Sequence, residues 1–293
     1  GKKKVLATVL AGLMMAGVGM DGVQAAPPSQ GTVDTSGSKV NISAYGKPQN
    51  TGTSGANAVN YIAVGYENDV TATTSGQDGR TAIGAGNKAT RNAALAIGNR
   101  NEATGGASTA VGTSSTASGE ASVAIGNATN ADQKGAIAIG SYVNVDTVPK
   151  ANGTLTLLPT GVYSTAVGGK SRASAENATA LGTEAEASGV GATATGNKAK
   201  AKAQSASAYG DASEATGVES TAIGYSNQAT AQKSTAMGNQ SQATAIYATA
   251  IGTKAHAYEE NSLAVGNLVS ATGKHSTAVG YNSTASGAGS VTL

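Results

Sequence analysis

The sequence predicts an all-β solenoid of fourteen-residue coils, and three observations predict it. An Ala, usually an apolar residue, and a Gly recur in phase. The Gly falls at 84, 98, 112, 126 and 140, then at 168, 182, 196, 210, 224, 238, 252, 266 and 280. Strict period-two patterning leads into each of these glycines, as strands require. The composition argues against an ordinary globule: of 293 residues 41 are Gly, and Cys, Trp and Phe are absent. A chain whose apolar residues are mostly Ala buries little area per side chain, so many thin stacked layers suit it better than one thick core.

The first strand of each coil is defined by its two faces. Two residues before the Gly stands Ala at every grid position, from Ala82 to Ala278. Four before it stands Ser or Ala, with Arg80 the exception. These small residues predict a coil too thin to admit more than Ala and Ser. The residues three and one before the Gly are larger and often β-branched, as in Thr81 with Ile83 or Val123 with Ile125. The Gly itself predicts a tight turn, because it takes positive φ without a Cβ penalty.

The second strand is marked by an Ala five residues after the Gly, from Ala89 to Ala285. Glycines such as Gly119, Gly189, Gly217, Gly273 and Gly287 stand two residues further on, where a second turn is expected. Roughly seventeen coils stacked about 4.8 Å apart give a rod of the order of 80 Å.

The large face of the first strand has no partner in so thin a coil. Ile83, Ile97, Val111, Ile125, Ile139, Val167, Leu181, Ile223, Met237, Ile251, Val265 and Val279 form one continuous stripe. A stripe of this length has to be covered, and self-association about a symmetry axis covers it most simply.

Along the chain, residues 1–25 read as a signal peptide. Lys2, Lys3 and Lys4 precede a short apolar stretch, and Val23-Gln24-Ala25 supplies a cleavage site. A membrane anchor is the competing reading, but the stretch is short and contains Gly12, Gly17 and Gly19. Residues 26–41 read as a flexible segment. Residues 42–142 read as the first part of the roll, with two longer coils. There Ser43-Ala44-Tyr45-Gly46 and Ile62-Ala63-Val64-Gly65 carry the motif at 19-residue spacing. Residues 143–162 read as an inserted hairpin, with β-prone runs on either side of Asn152-Gly153. Residues 163–293 read as the second part of the roll.

The repeats closely resemble the YadA-like head of trimeric autotransporter adhesins, whose pattern is Asn/Ser-Ser-x-Ala-Ile-Gly-x-x-Ser/Ala-x-Ala. Ser122-Val123-Ala124-Ile125-Gly126-Asn127-Ala128-Thr129-Asn130-Ala131 and Ser276-Thr277-Ala278-Val279-Gly280-Tyr281-Asn282-Ser283-Thr284-Ala285 carry the resemblance. It extends over about 42–290. It implies a left-handed parallel β-roll and a homotrimer in which the stripe becomes the trimer seam. It also implies a cell-surface location, export, and tethering to the outer membrane through a stalk and C-terminal anchor absent from this sequence. The partners it implies are host cells, matrix proteins of the collagen or fibronectin type, or surface receptors of other bacteria. Two residues depart from the seam pattern, Thr195 and Tyr209.

The insertion is the candidate partner-binding element. Its tip offers Lys150, Asn152 and Gly153, and its arms offer Val148, Leu155, Leu157 and Leu158. It either recognises a partner or folds back on the roll and tightens the trimer. Glu67 to Arg80 suggests a plain polar loop.

Other functions are poorly supported. His256 and His275 stand 19 residues apart with no matching ligand pattern, so no metal or other cofactor is expected. Glu259 and Glu260 are adjacent and point to opposite faces of a strand. Gly84-Ala85-Gly86 and Gly189-Val190-Gly191 lack the third Gly of a dinucleotide fingerprint. Outside residues 1–25 there are 16 basic and 16 acidic residues, which offers no nucleic-acid footprint. An enzyme is not expected. Self-association leading to autoaggregation and biofilm is the alternative function. A more remote one is ice binding through the Thr column Thr81, Thr109, Thr165, Thr179, Thr193, Thr221, Thr235, Thr249 and Thr277.

Overall fold

The computed structural model describes residues 39–43, 61–70, 79–142, 148–149, 155–156 and 161–293. Residues 1–25 and the tip Lys150, Asn152 and Gly153 lie outside the described residues, as do Leu157 and Leu158. The described residues contain strands and turns and no helix. Fourteen residues make one coil. A first strand such as Leu95–Asn99 is followed, across a turn, by a two-residue strand such as Glu102–Ala103.

Successive coils pair in parallel and in register. Ala82 lies opposite Ala96, Ala96 opposite Ala110, and Gly98 opposite Gly112. First strands build one 17-stranded sheet, and the two-residue strands build sheets of four and nine. Rung bonds join each coil to the next, as in Leu95 N–H to Ser108 O at 2.9 Å and Thr116 N–H to Thr129 O at 2.8 Å. The Ala columns two before and five after the Gly are fully buried throughout.

The repeat Gly does more than open a turn. Its φ lies between 107° and 139° at all fourteen grid positions. At ten of them the Gly stays inside the first strand, as Gly126 does in Val123–Asn127. The turn proper comes two residues later, where a residue such as Arg100, Ser114 or Gln240 takes φ near 55°. That residue's N–H is tied to the preceding coil, for example Arg100 to Ala85 O at 2.8 Å. What the strand Gly supplies is room: a Cβ at Gly126 would overlap the Gly140 carbonyl oxygen and sit 2.7 Å from its carbon. The coils of Gly168, Gly182, Gly196 and Gly210 behave as the sequence suggests, with a three-residue strand that stops before the Gly.

The interior is less uniform than Ala and Ser. Three residues after the Gly runs a third buried column that also admits Asn68, Asn87, Asn101, Asn227, Thr129 and Val269. A primary amide fits there because it satisfies backbone groups that would otherwise lie unpaired. Asn101 Nδ2 donates to Ile97 O at 2.9 Å, to Gly112 O at 2.8 Å and to Asn87 Oδ1 at 3.0 Å. Its own Oδ1 accepts from Ser115 N at 3.0 Å. The Ser column four before the Gly acts within its own coil. Ser108 Oγ and Ser122 Oγ each donate to the turn carbonyl three residues back at 2.8 Å.

One assignment near the N-terminal end shifts. The first strand, Lys39–Ser43, begins before residue 42, and its register sets Ile42 opposite Val64 and Ser43 opposite Gly65. The Val40-x-Ile42 alternation therefore fills the place expected for Ala44-Tyr45-Gly46, consistent with the strand preference of β-branched residues. The 19-residue coil stays in the stack, with Gly65 opposite Gly84. On either side of residues 143–162 the first strands pair directly, Ile137 opposite Thr165 and Ile139 opposite Val167. Within the insertion, Val148 pairs with Thr156 and Pro149 with Leu155, antiparallel.

Candidate functional site

A coil this thin presents two sheet faces and two turn edges. The outward columns of the first sheet run without interruption: Ile83, Ile97, Val111, Ile125 and Ile139 stand in register, and Val167, Leu181, Thr195, Tyr209 and Ile223 continue them. Met237, Ile251, Val265 and Val279 complete the column. Every predicted seam residue lies on it. None is buried within one chain; Ile125 retains 36% and Met237 38% of its surface. The Thr column stands beside it on the same face, half-buried by its neighbours.

The second sheet faces the other way and is polar. Its outward column sets opposite charges on neighbouring rungs at Lys88 and Glu102, and again from Arg172 through Glu186 and Lys200 to Glu214, while Thr116 and Asn130 are neutral. Lys88 pairs with Glu102 at 2.7 Å, and Arg172 pairs with Glu186 at 3.7 Å. Lys202 also reaches Glu186, at 3.8 Å. At a turn edge Lys274 pairs with Glu260 at 2.8 Å. The Glu102 hydrogen bond holds the Lys88 ammonium above the usual lysine range, and Lys274 likewise holds the Glu260 carboxyl below the usual carboxylate range. Most of these pairs are exposed and stabilise little individually, while Arg172 and Glu186 are half-buried. Their signal in the sequence is charge alternation at fourteen-residue spacing, which hydrophobic periodicity does not reveal.

Further along, the same column turns to amides. Gln242 Nε2 donates to Gln228 Oε1 at 3.2 Å, Tyr258 donates to Gln242 Oε1 at 3.1 Å, and Tyr258 also bonds His256 Nδ1. Ser226, Gln228, Gln240, Gln242, Lys254 and His256 line a shallow groove of about 330 Å³. Burial lowers the His256 pKa, favouring the neutral ring. His275 sits at a turn with φ 60°. Among the described residues no three metal-ligating side chains converge. Tyr66, Tyr225 and Tyr281, each directly after a repeat Gly, are exposed.

A stack of parallel fourteen-residue coils, with one unpartnered aliphatic face and one polar face, is the architecture of an adhesin-type β-roll. The family model for the YadA head domain repeat (2 copies) matches residues 81–101, 103–129, 117–142, 160–185, 215–241, 243–268 and 271–291. The chain belongs to that family, which places it among the trimeric autotransporter adhesins. No curated protein gives a significant match to the chain. Residues 186–214, which include Thr195 and Tyr209, fall between two of the matched stretches.

Proposed function

We propose that the chain is the non-enzymatic head of a bacterial surface adhesin, assembled as a homotrimer and tethered to the outer membrane. The observation that carries this reading is the continuous column from Ile83 to Val279, unburied within one chain in a family of trimeric adhesins. Three copies that bring these columns to a common axis remove the stripe from water. The polar sheet then faces outward. The targets are host cells, matrix proteins of the collagen or fibronectin type, or surface receptors of other bacteria.

Within this reading the insertion is the contact element. The rungs on either side of it pair directly with each other, and loops set on a rigid scaffold often carry recognition. The test is deletion of residues 146–159, followed by binding to matrix proteins, epithelial cells and partner bacteria. Loss of binding by an intact trimer supports the assignment, and unchanged binding removes it.

A second reading is self-association of heads on neighbouring cells. The alternation of Arg172, Glu186, Lys200 and Glu214 along one column favours it, since such a surface is complementary to a displaced copy of itself. Autoaggregation that weakens steeply with added salt supports it.

A further inference from the structure

A periodic seam has a problem of register. When one chain slides past its neighbours by a single coil, about 4.8 Å, aliphatic residues still meet aliphatic residues nearly everywhere. Ile against Val or Met is a permissive contact, because packing of similar volumes is tolerated. The apolar column, seven grid rungs from Ile83 to Leu181 and five from Ile223 to Val279, offers no polar landmark of its own.

We propose that Thr195 and Tyr209 supply that landmark and fix the axial register in which three copies of this chain assemble; the inference rests on the trimeric seam proposed above. The register runs Leu181, Thr195, Tyr209, Ile223 along one outward column, and Thr179, Thr193, Ser207, Thr221 along the other. Over the two rungs of Thr195 and Tyr209, both columns therefore carry hydroxyls and no aliphatic side chain. Tyr209 projects with 40% of its surface exposed. In register, hydroxyls of three chains lie level and bond one another. One coil out of register, Tyr209 of one chain lies level with Ile223 or Thr195 of the others, and Thr195 with Leu181 or Tyr209. That strands hydroxyls among aliphatic groups and forces a large ring into a layer of another size, and both are unfavourable. A single polar layer specifies register in the same way in parallel coiled coils, at some expense in stability. The stretch also differs locally: it lies outside the residues the family model matches, and its coils are among the four with three-residue first strands.

The seam contains one methionine, Met237; the other three are Met14, Met15 and Met20. Methyl NMR of methionine-labelled protein therefore reports on seam symmetry, since equivalent chains give one Met237 signal and slipped chains give several. The wild type is expected to show one. T195I/Y209I is expected to stay trimeric in sedimentation, to melt no lower than wild type, and to show two or more Met237 signals. A single Met237 signal from trimeric T195I/Y209I overturns the inference, and T195V/Y209V is read the same way if the bulkier variant does not fold. A monomeric wild type is a different failure, because it overturns the seam itself.

Discussion

Gly126→Ala tests why the repeat needs its glycine. The new Cβ would overlap the Gly140 carbonyl oxygen and lie 2.7 Å from its carbon, both rigid backbone in the next rung. The residue would also hold φ 139°, which an L side chain rarely adopts. Backbone strain of this kind costs about 1–3 kcal/mol, and overpacking adds about 1–3 kcal/mol, giving an expected loss of about 2–6 kcal/mol. Gly106→Ala is the control: nothing lies within 4 Å of its added Cβ, and its φ is not positive. There a gain of about 0.4–1 kcal/mol from a stiffer unfolded chain is expected. Chemical denaturation followed by circular dichroism measures both. Hydrogen exchange of residues 109–141 then shows whether the loss is confined to the neighbouring coils, as a one-dimensional stack requires. Equal stability of the two variants would refute the close-approach argument.

Asn101→Ala removes one amide that serves three coils, so a loss of about 2–4 kcal/mol is expected, with faster exchange at Ser115, whose N–H the Asn101 oxygen accepts, read by denaturation and hydrogen exchange. Ile125→Asp together with Ile251→Asp places carboxylates on the aliphatic column; sedimentation is expected to show monomers with coil circular dichroism retained, and an intact trimer would contradict the seam. His256 has a lowered pKa in the folded state, so its contribution to stability is complete above the ordinary value of 6.5 and is lost as pH falls through the lowered one. His256→Gln should accordingly flatten the acid side of the melting-temperature profile.

The period made most of the fold legible, because each coil repeats the same steric demand and fourteen copies reinforce one another. Ala82 through Ala278 announced the buried columns, and the apolar residue before each Gly announced the exposed one. The asparagine column was harder to see. Asn87, Asn101 and Asn227 share a phase with Ser, Ala, Thr and Val, so no single residue type marks it. Its logic is backbone satisfaction, which becomes visible only once carbonyls such as Gly112 O have positions. The role of the Gly was half legible: positive φ follows from the residue type, whereas contact with the next rung depends on stacking. The Val40-x-Ile42 register was obscured by a nearby Ala-Tyr-Gly that imitates the motif. The polar sheet stayed hidden because the alternation of Lys88 with Glu102, or Arg172 with Glu186, emerges only when residues fourteen apart are set side by side.

The bonds that join one coil to the next run along the stacking axis. A tensile load on a head held at one end and bound at the other is therefore carried by the rungs in series, and the weakest rung sets the strength of the whole. Most rungs are joined by both sheets. Between Gly140 and Gly168 the first sheets still pair, through Ile137–Ile139 and Thr165–Val167. At that position, as elsewhere, the load passes through backbone pairing of the first sheet.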